Sequence, residues 1–408
     1  MASDKEGMCY MKKLTAFLLT LVLVIQFAAC KAALEETSAA DTGSETTSET
    51  SETQSEPAVI RTEEYGVIHE PEFGGIYITI TIDDFNDQYD ITYGDSVNVY
   101  FSNGAEFLDI PYYNGYYCKP GENLLVAYPG YDYIKVACNF GEDLFVTAGL
   151  SENDTAWIEL NEEEKYLDNQ IARDITYVDD RALYPTDQIF ANFRSCNVGD
   201  LKQDILYRSA SPCDNQHNRA AYVDALCREA GINYILDLAD TDAKIQGYMS
   251  KPDYASEYFT MLYERGDVGP LGLSANYGSQ DFKDKLTAGL VAMLDDDGPY
   301  LVNCTEGKDR TGLVIMIFEM LAGASYDEML EDYMVTYFNY YGIAGFTDSN
   351  RYRLIKENLF DDMLRTAMGV KEDFPLEDVD FVPYAQNYLS DAGMTDTQID
   401  MLRAKLVE

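Results

Sequence analysis

The stretch that decides the reading is Pro299-Tyr300-Leu301-Val302-Asn303-Cys304-Thr305-Glu306-Gly307-Lys308-Asp309-Arg310-Thr311-Gly312-Leu313-Val314-Ile315-Met316-Ile317-Phe318. Pro299 to Asn303 is a short apolar run that predicts a buried strand. Arg310 through Leu321 is apolar enough to predict a mostly buried helix. Between them lies a tight loop, Cys304 to Asp309. A strand, a tight loop and a helix amino terminus together form an anion cradle. Successive backbone N–H groups turn inward and the helix dipole favours negative charge, so the loop suits a phosphate.

A thiol at the start of such a loop is pushed toward thiolate, the nucleophilic form, and Cys304 is so placed. Arg310, six residues on, can fold back and hold two phosphoryl oxygens in its planar fork, which a lysine cannot reproduce. Thr305, Glu306 and Gly307 would act through their backbone N–H groups, Gly307 also permitting a positive φ. The chemistry these residues suit is phosphoryl transfer to cysteine, which asks mainly for positioning and charge stabilisation.

The run Cys304-Thr305-Glu306-Gly307-Lys308-Asp309-Arg310-Thr311-Gly312 resembles the C-x5-R-[ST]-G signature of cysteine-based protein tyrosine phosphatases. Its Lys-Asp-Arg form is similar to the bacterial tyrosine/serine phosphatases, some of which are secreted and act on phosphoinositides. The resemblance extends over about residues 192–408. Asn192-Phe193-Arg194 stands where that family has N-F-R-D, and Leu206-Tyr207-Arg208-Ser209 matches L-[YF]-R-S. Gly231-Ile232-Asn233-Tyr234-Ile235-Leu236-Asp237-Leu238 matches G-I-x-x-[VI]-x-D-L-R, while Asp332-Tyr333-Met334 and Tyr388 to Met394 look like its later helices. The resemblance implies an α/β domain with a mainly parallel central sheet, Cys304 as nucleophile, Arg310 as phosphate clamp and no metal or organic cofactor. It also implies phosphate binding by residues 305–308 and 311–312, namely Thr305, Glu306, Gly307, Lys308, Thr311 and Gly312. Lys308 would meet a second phosphate or an acidic ligand, and the Thr311 hydroxyl would ease thiolate departure. Four positions depart from the family: Asn303 replaces the usual His, Ser195 an Asp, Ala239 an Arg, and Glu306 a frequent Ala. The lost His would leave the thiol less acidic, and Glu306 would repel polyphosphorylated ligands.

Cleavage also needs a general acid near the leaving oxygen. Asp309, within the loop, is the first candidate. Asp267, Glu264 and Asp240 follow strand-like runs at Phe259–Tyr263 and Tyr234–Leu238, so their loops would reach the same end of a parallel sheet.

Residues 58–160 alternate like short strands, as in Ile76-Tyr77-Ile78-Thr79-Ile80-Thr81-Ile82, with turn signals at Tyr93-Gly94-Asp95, Ser102-Asn103-Gly104 and Pro120-Gly121. They predict a β-rich barrel or sandwich. Over roughly 70 residues this segment resembles the carboxyl-terminal barrel of S-adenosylmethionine hydroxide adenosyltransferases; the chain has no room for the other domain those enzymes need, so an accessory module is implied. Residues 161–185 read as a connector with a helical piece, and 186–408 as the phosphatase-like domain.

At the amino end, Met11-Lys12-Lys13 precedes sixteen uncharged residues, Leu14 to Ala29. Short for a membrane span of about 20 residues, the run fits an export signal over residues 1–30. Phe27-Ala28-Ala29-Cys30 resembles the lipobox of bacterial lipoproteins, with Phe27 in place of the usual Leu; the likeness implies lipidation of Cys30 and a membrane anchor on the outer face. Residues 31–57 are nearly all Ser, Thr, Glu, Ala and Asp, a linker that cannot form a core.

The whole chain of 408 residues has 29 Lys+Arg against 72 Asp+Glu, a net charge of -43, which excludes nucleic acid as a general partner. With 46% hydrophobic residues it can build cores. Eight cysteines without a CxxC pair and two histidines argue against a Cys/His zinc site. The expectation is therefore a multidomain exported hydrolase of phosphomonoesters, phosphotyrosine in proteins first, phosphoserine and phosphothreonine also. The alternatives are an inositol-phosphate or phosphoinositide phosphatase and a non-catalytic phosphate-binding surface protein.

Overall fold

The computed structural model describes residues 60–408, which belong to one compact unit, Val59–Glu408. The export signal, Cys30 and the linker lie outside the described residues. Among the described residues no helix is long and apolar enough to cross a membrane.

Seven strands close into a barrel: β1 (Tyr65–Glu70), β2 (Gly75–Thr81), β3 (Ser96–Phe101), β4 (Glu106–Tyr113), β5 (Asn123–Val126), β6 (Tyr133–Cys138) and β7 (Thr155–Glu162), in the order β1-β2-β6-β5-β4-β3-β7. β7 returns to β1, so no strand edge is left open. All pairings are antiparallel except β4 with β5. The period-two pattern fills the interior: Ile76, Ile78 and Ile80 of β2, Val97, Val99 and Phe101 of β3, and Ile134 and Val136 of β6 share one core. A short helix, Ile82–Gln88, begins where the Thr81 side chain accepts from the Asp84 N–H, and it adds Phe85 to that core.

β7 reaches Glu162, inside the expected connector. The connector's helix, Leu167–Arg173, packs on both halves. Asn169 donates to the Tyr113 hydroxyl at 3.0 Å and the Tyr117 carbonyl at 2.8 Å, while Ala172 enters the core of the carboxyl half.

That half is built on a mixed five-stranded sheet: β8 (Arg194–Ser195), β9 (Leu206–Ser209), β10 (Tyr234–Asp237), β11 (Val268–Pro270) and β12 (Tyr300–Asn303), in the order β11-β10-β12-β9-β8. β11, β10, β12 and β9 are paired parallel, and β8 runs antiparallel to β9. Successive residues face opposite sides. Leu236 and Val302 pack with the helices Gln280–Met293 and Asp309–Leu321, whereas Ile235 and Leu301 pack with Ala220–Ala230 and Glu257–Arg265.

Phe259–Tyr263, expected as strand-like, is helical. Phe259 and Leu262, three residues apart, are its buried face, a spacing that a strand would split between two sides. Glu264 therefore ends a helix, and Asp267 precedes β11. Both lie at the amino end of the parallel strands, opposite the Cys304 loop, so neither serves as general acid there.

Candidate active site

β12 ends at Asn303, and Cys304 follows it, 3% exposed, before the helix Asp309–Leu321 begins. The loop between them is held from outside by its carbonyls. The Ser211 N–H donates to the Thr305 oxygen at 3.1 Å, and the Tyr340 hydroxyl to the Glu306 oxygen at 2.8 Å. Arg208 donates to the Gly307 oxygen at 2.9 Å, and the Asn192 amide reaches both the Glu306 and Gly307 oxygens, at 3.3 and 3.4 Å. In a trans peptide the N–H points opposite to the carbonyl. Anchoring these three carbonyls outward therefore turns the N–H groups of Glu306, Gly307 and Lys308 the other way. Among the described residues, no protein acceptor receives a backbone N–H from Thr305 through Arg310.

Gly307 is what lets the loop lie so close to β9. Its φ is +68°, and a Cβ there would stand 2.1 Å from the Ser209 carbonyl oxygen.

Beneath the loop is a buried ionic cluster. Asp332 receives Arg194 Nε on one oxygen at 2.9 Å and Arg208 Nη1 on the other at 2.6 Å. Burial pushes the Asp332 carboxyl up, but the two guanidinium groups overcome it and hold it well below the usual range. Arg208 is thereby fixed while it grips Gly307.

Arg310 is half-buried and donates to the Leu273 carbonyl at 3.0 Å. Burial opposes its charge, while Cys304, Tyr277, Asp309 and Asp237 support it, and the balance leaves its pKa raised. A permanent cation thus sits within electrostatic reach of the Cys304 sulfur.

Lys308 is committed to its own loop: it lies 3.0 Å from Glu306 and 3.7 Å from Asp309, with the Tyr177 and Tyr341 rings 5.8 Å away. Burial would lower its pKa, but Asp309, Glu306 and the two tyrosine hydroxyls raise it well above normal. Burial likewise opposes the Glu306 charge, yet Lys308 and a 2.6 Å hydrogen bond from the Tyr177 hydroxyl leave its pKa lowered. The charge expected to repel polyphosphates is therefore neutralised in place. Tyr177 itself stacks on His217, whose Nδ1 lies 3.0 Å from Asp179, and Arg219 pairs with the same carboxylate.

Asp309 opens the helix beside the loop with its side chain 52% exposed. Asp240 is at the same end of the sheet but is buried, with one oxygen near Tyr248 and Lys244 and the other 3.8 Å from the Cys213 sulfur. Thr311 is buried with no partner for its hydroxyl, and Gly312 lies under the Tyr333 ring. Sequence reasoning gave no role to Arg194, Arg208 or Asp332, although each stood in a quoted motif. Nothing in the sequence distinguishes Tyr177 or Tyr340 among 33 tyrosines.

A strand, an anchored loop and a helix carrying Cys304 and Arg310 form the setting for one comparison. The model of the family described as the tyrosine phosphatase family matches residues 190–408, more than half of the chain. The chain belongs to the tyrosine phosphatase family.

Membership places residues 190–408 among phosphatases, with the loop of this phosphatase domain at the carboxyl ends of β9, β10 and β12, where open α/β sheets bind ligands. No curated protein matches the chain. Among solved structures, the crystal structure of an uncharacterized conserved protein from Thermotoga maritima is similar at 21% identity with a TM-score of 0.20. The likeness covers 23% of this chain and 35% of that one, too little to bear on the phosphatase domain.

Proposed function

We propose that the protein hydrolyses phosphomonoesters, phosphotyrosine in proteins first and phosphoserine or phosphothreonine also, through a phosphocysteine intermediate. The observation that carries this reading is the arc of N–H groups from Thr305 to Arg310 that donate to no protein acceptor, beside Cys304 and the Arg310 guanidinium. Such an arc suits the three equatorial oxygens of a transferring phosphoryl group.

In the first step the Cys304 thiolate attacks phosphorus, the P–O bond to the leaving group breaks, and Asp309 gives its proton to the departing oxygen. In the second, water attacks the phosphocysteine, Asp309 takes the water proton, and the S–P bond breaks to release phosphate and thiolate. The buried Thr311 hydroxyl, free of other partners, is available to stabilise that thiolate. Arg310 holds two oxygens throughout. Export and attachment to the outer face of the membrane through Cys30 are part of the same proposal and rest on the residues quoted above. An inositol-phosphate substrate fits less well, because Lys308, the cation that would meet a second phosphate, is paired with Glu306.

The test is hydrolysis of an aryl phosphate, a phosphotyrosine peptide and soluble inositol phosphates by the full chain, in reductant and chelator, beside Cys304→Ser and Arg310→Lys. Phosphatase activity falling by at least about 10³-fold in Cys304→Ser, with the peptide preferred, is the expected result. Activity retained in Cys304→Ser overturns the phosphocysteine route, and phosphate binding without turnover in the parent indicates a non-catalytic binding protein.

A further inference from the structure

The carboxyl end of β10 carries a cluster that makes no bond and moves no proton in the steps above, although its carboxylates lie within electrostatic reach of Arg310. Among the described residues, Cys213, Asp237 and Asp240 are all buried and offer ligand atoms within 4.8 Å of one another. Each carboxylate is divided in its work. Asp237 uses Oδ1 to accept the N–H groups of Ala239 and Asp240, at 3.0 and 3.2 Å. Asp240 uses Oδ1 toward Tyr248, at 3.3 Å, and Lys244. The remaining oxygens converge on one sulfur, Asp237 Oδ2 at 3.9 Å and Asp240 Oδ2 at 3.8 Å from Cys213 Sγ.

Asn303 supplies an independent observation. It is wholly buried, and neither its amide nitrogen nor its amide oxygen has a partner. In the parallel ladder Asn303 is in register with Asp237, so the two side chains leave adjacent strands on the same face. An unclaimed amide oxygen beside two convergent carboxylates and a thiol is a fourth donor without an assignment in the protein.

From this geometry we infer that Cys213, Asp237, Asp240 and Asn303 form a binding site for a divalent cation of borderline softness, zinc or cobalt. One thiolate, two carboxylates and an amide oxygen suit such an ion better than magnesium or calcium, which take oxygen alone. The spacing is close to that of a formed site: bonds of about 2.3 Å to sulfur and about 2.0 Å to oxygen at a tetrahedral angle separate S from O by roughly 3.5 Å. The two sulfur–oxygen distances exceed that by a few tenths of an ångström. Binding releases the thiol proton, and any carboxyl proton, to solvent, so uptake strengthens as pH rises. The expectation of no metal rests on the absence of CxxC and His patterns, which a ligand set drawn from two strand ends and two loops does not leave in a sequence.

The test is titration of cobalt(II) into the reduced full chain carrying Cys304→Ser, which removes the thiol of the phosphate loop. One equivalent should bind with a thiolate-to-cobalt charge-transfer band, and zinc should displace it. Adding Cys213→Ser should abolish the band. Asp240→Asn, tested separately in case Cys213→Ser fails to fold, should weaken binding at least about tenfold, with circular dichroism confirming the fold. No band in the parent would overturn the inference and leave a protonated carboxyl–thiol cluster. A band that survives Cys213→Ser, or affinity unchanged in Asp240→Asn, would place the metal elsewhere and overturn it equally. Because the phosphatase test is run in chelator, either reading can fail without the other.

Discussion

Replacing Gly307 by alanine tests how the phosphate loop is built. The new methyl would stand 2.1 Å from the Ser209 carbonyl oxygen and 2.5 Å from its carbon, both backbone atoms of the strand end. Neither can swing aside like a flexible side chain. Ordinary contact begins near 3.4 Å, so loop and strand must part by roughly 1.3 Å, and a misplacement of about 1 Å at a reacting centre costs about 100-fold in rate. That is about 2.7 kcal/mol of transition-state stabilisation. The left-handed backbone, with φ at +68°, adds about 1–2 kcal/mol of lost stability for a residue with a side chain. Gly104 separates the two effects, since its φ is +87° but nothing lies within 4 Å of its would-be Cβ. Gly104→Ala should lower the melting temperature and leave kcat/KM for an aryl phosphate unchanged. Gly307→Ala should lower both, with the rate loss persisting at temperatures where circular dichroism shows the chain folded. A folded Gly307→Ala variant with kcat/KM within about threefold of the parent would refute the claim that close approach to β9 shapes the site.

Two further outcomes follow from the same geometry. Asp309→Asn should cut hydrolysis of phosphotyrosine, whose leaving phenol has a pKa of about 10, by roughly 10²–10⁴-fold, and barely change hydrolysis of 4-nitrophenyl phosphate, whose leaving group departs without a proton. Equal losses on both substrates would point away from proton donation by this residue. Asp332→Ala strands the buried guanidinium of Arg208 and the half-buried one of Arg194, and should cost about 3–5 kcal/mol in denaturant melts. Because the folded Asp332 carboxyl is held below the unfolded value of about 3.9, its contribution is complete above that pH and is lost as pH falls through the folded value. The parent should therefore lose stability on acidification below about pH 4 more steeply than Asp332→Ala, and parallel pH curves would contradict the assignment.

Much of the architecture is local and so was legible in the sequence. The alternation at Ile76–Ile80 is the inner face of β2, and the apolar runs around Cys304 became β12 and a helix whose first residue, Asp309, is one earlier than predicted. Phe259–Tyr263 misled because five residues mixing aromatic and aliphatic side chains fit either period. Burial of Phe259 with Leu262 resolved it only once there was a sheet to pack on. The sequence points the side chains of Lys308 and Glu306 at a ligand, whereas the structure turns them toward each other. The two are only two residues apart, but the rings of Tyr177 and Tyr341 that enclose the pair come from distant parts of the chain, which a charge run does not reveal.

The sequence by itself determined the strand, loop and helix, the six-residue spacing of Cys304 and Arg310, and the glycine that lets the loop turn, because these depend on neighbours along the chain. Only the tertiary structure decided what holds the loop open. Its carbonyls are gripped by Asn192, by Arg208 and Ser211 at the end of β9, and by Tyr340, from three separate segments. Only parallel pairing of β10 with β12 set Asn303 beside Asp237. Such contacts join residues tens to hundreds of positions apart, and burial, which raises the energy of every unpaired polar group, selects among them only when the sheet and its helices have packed.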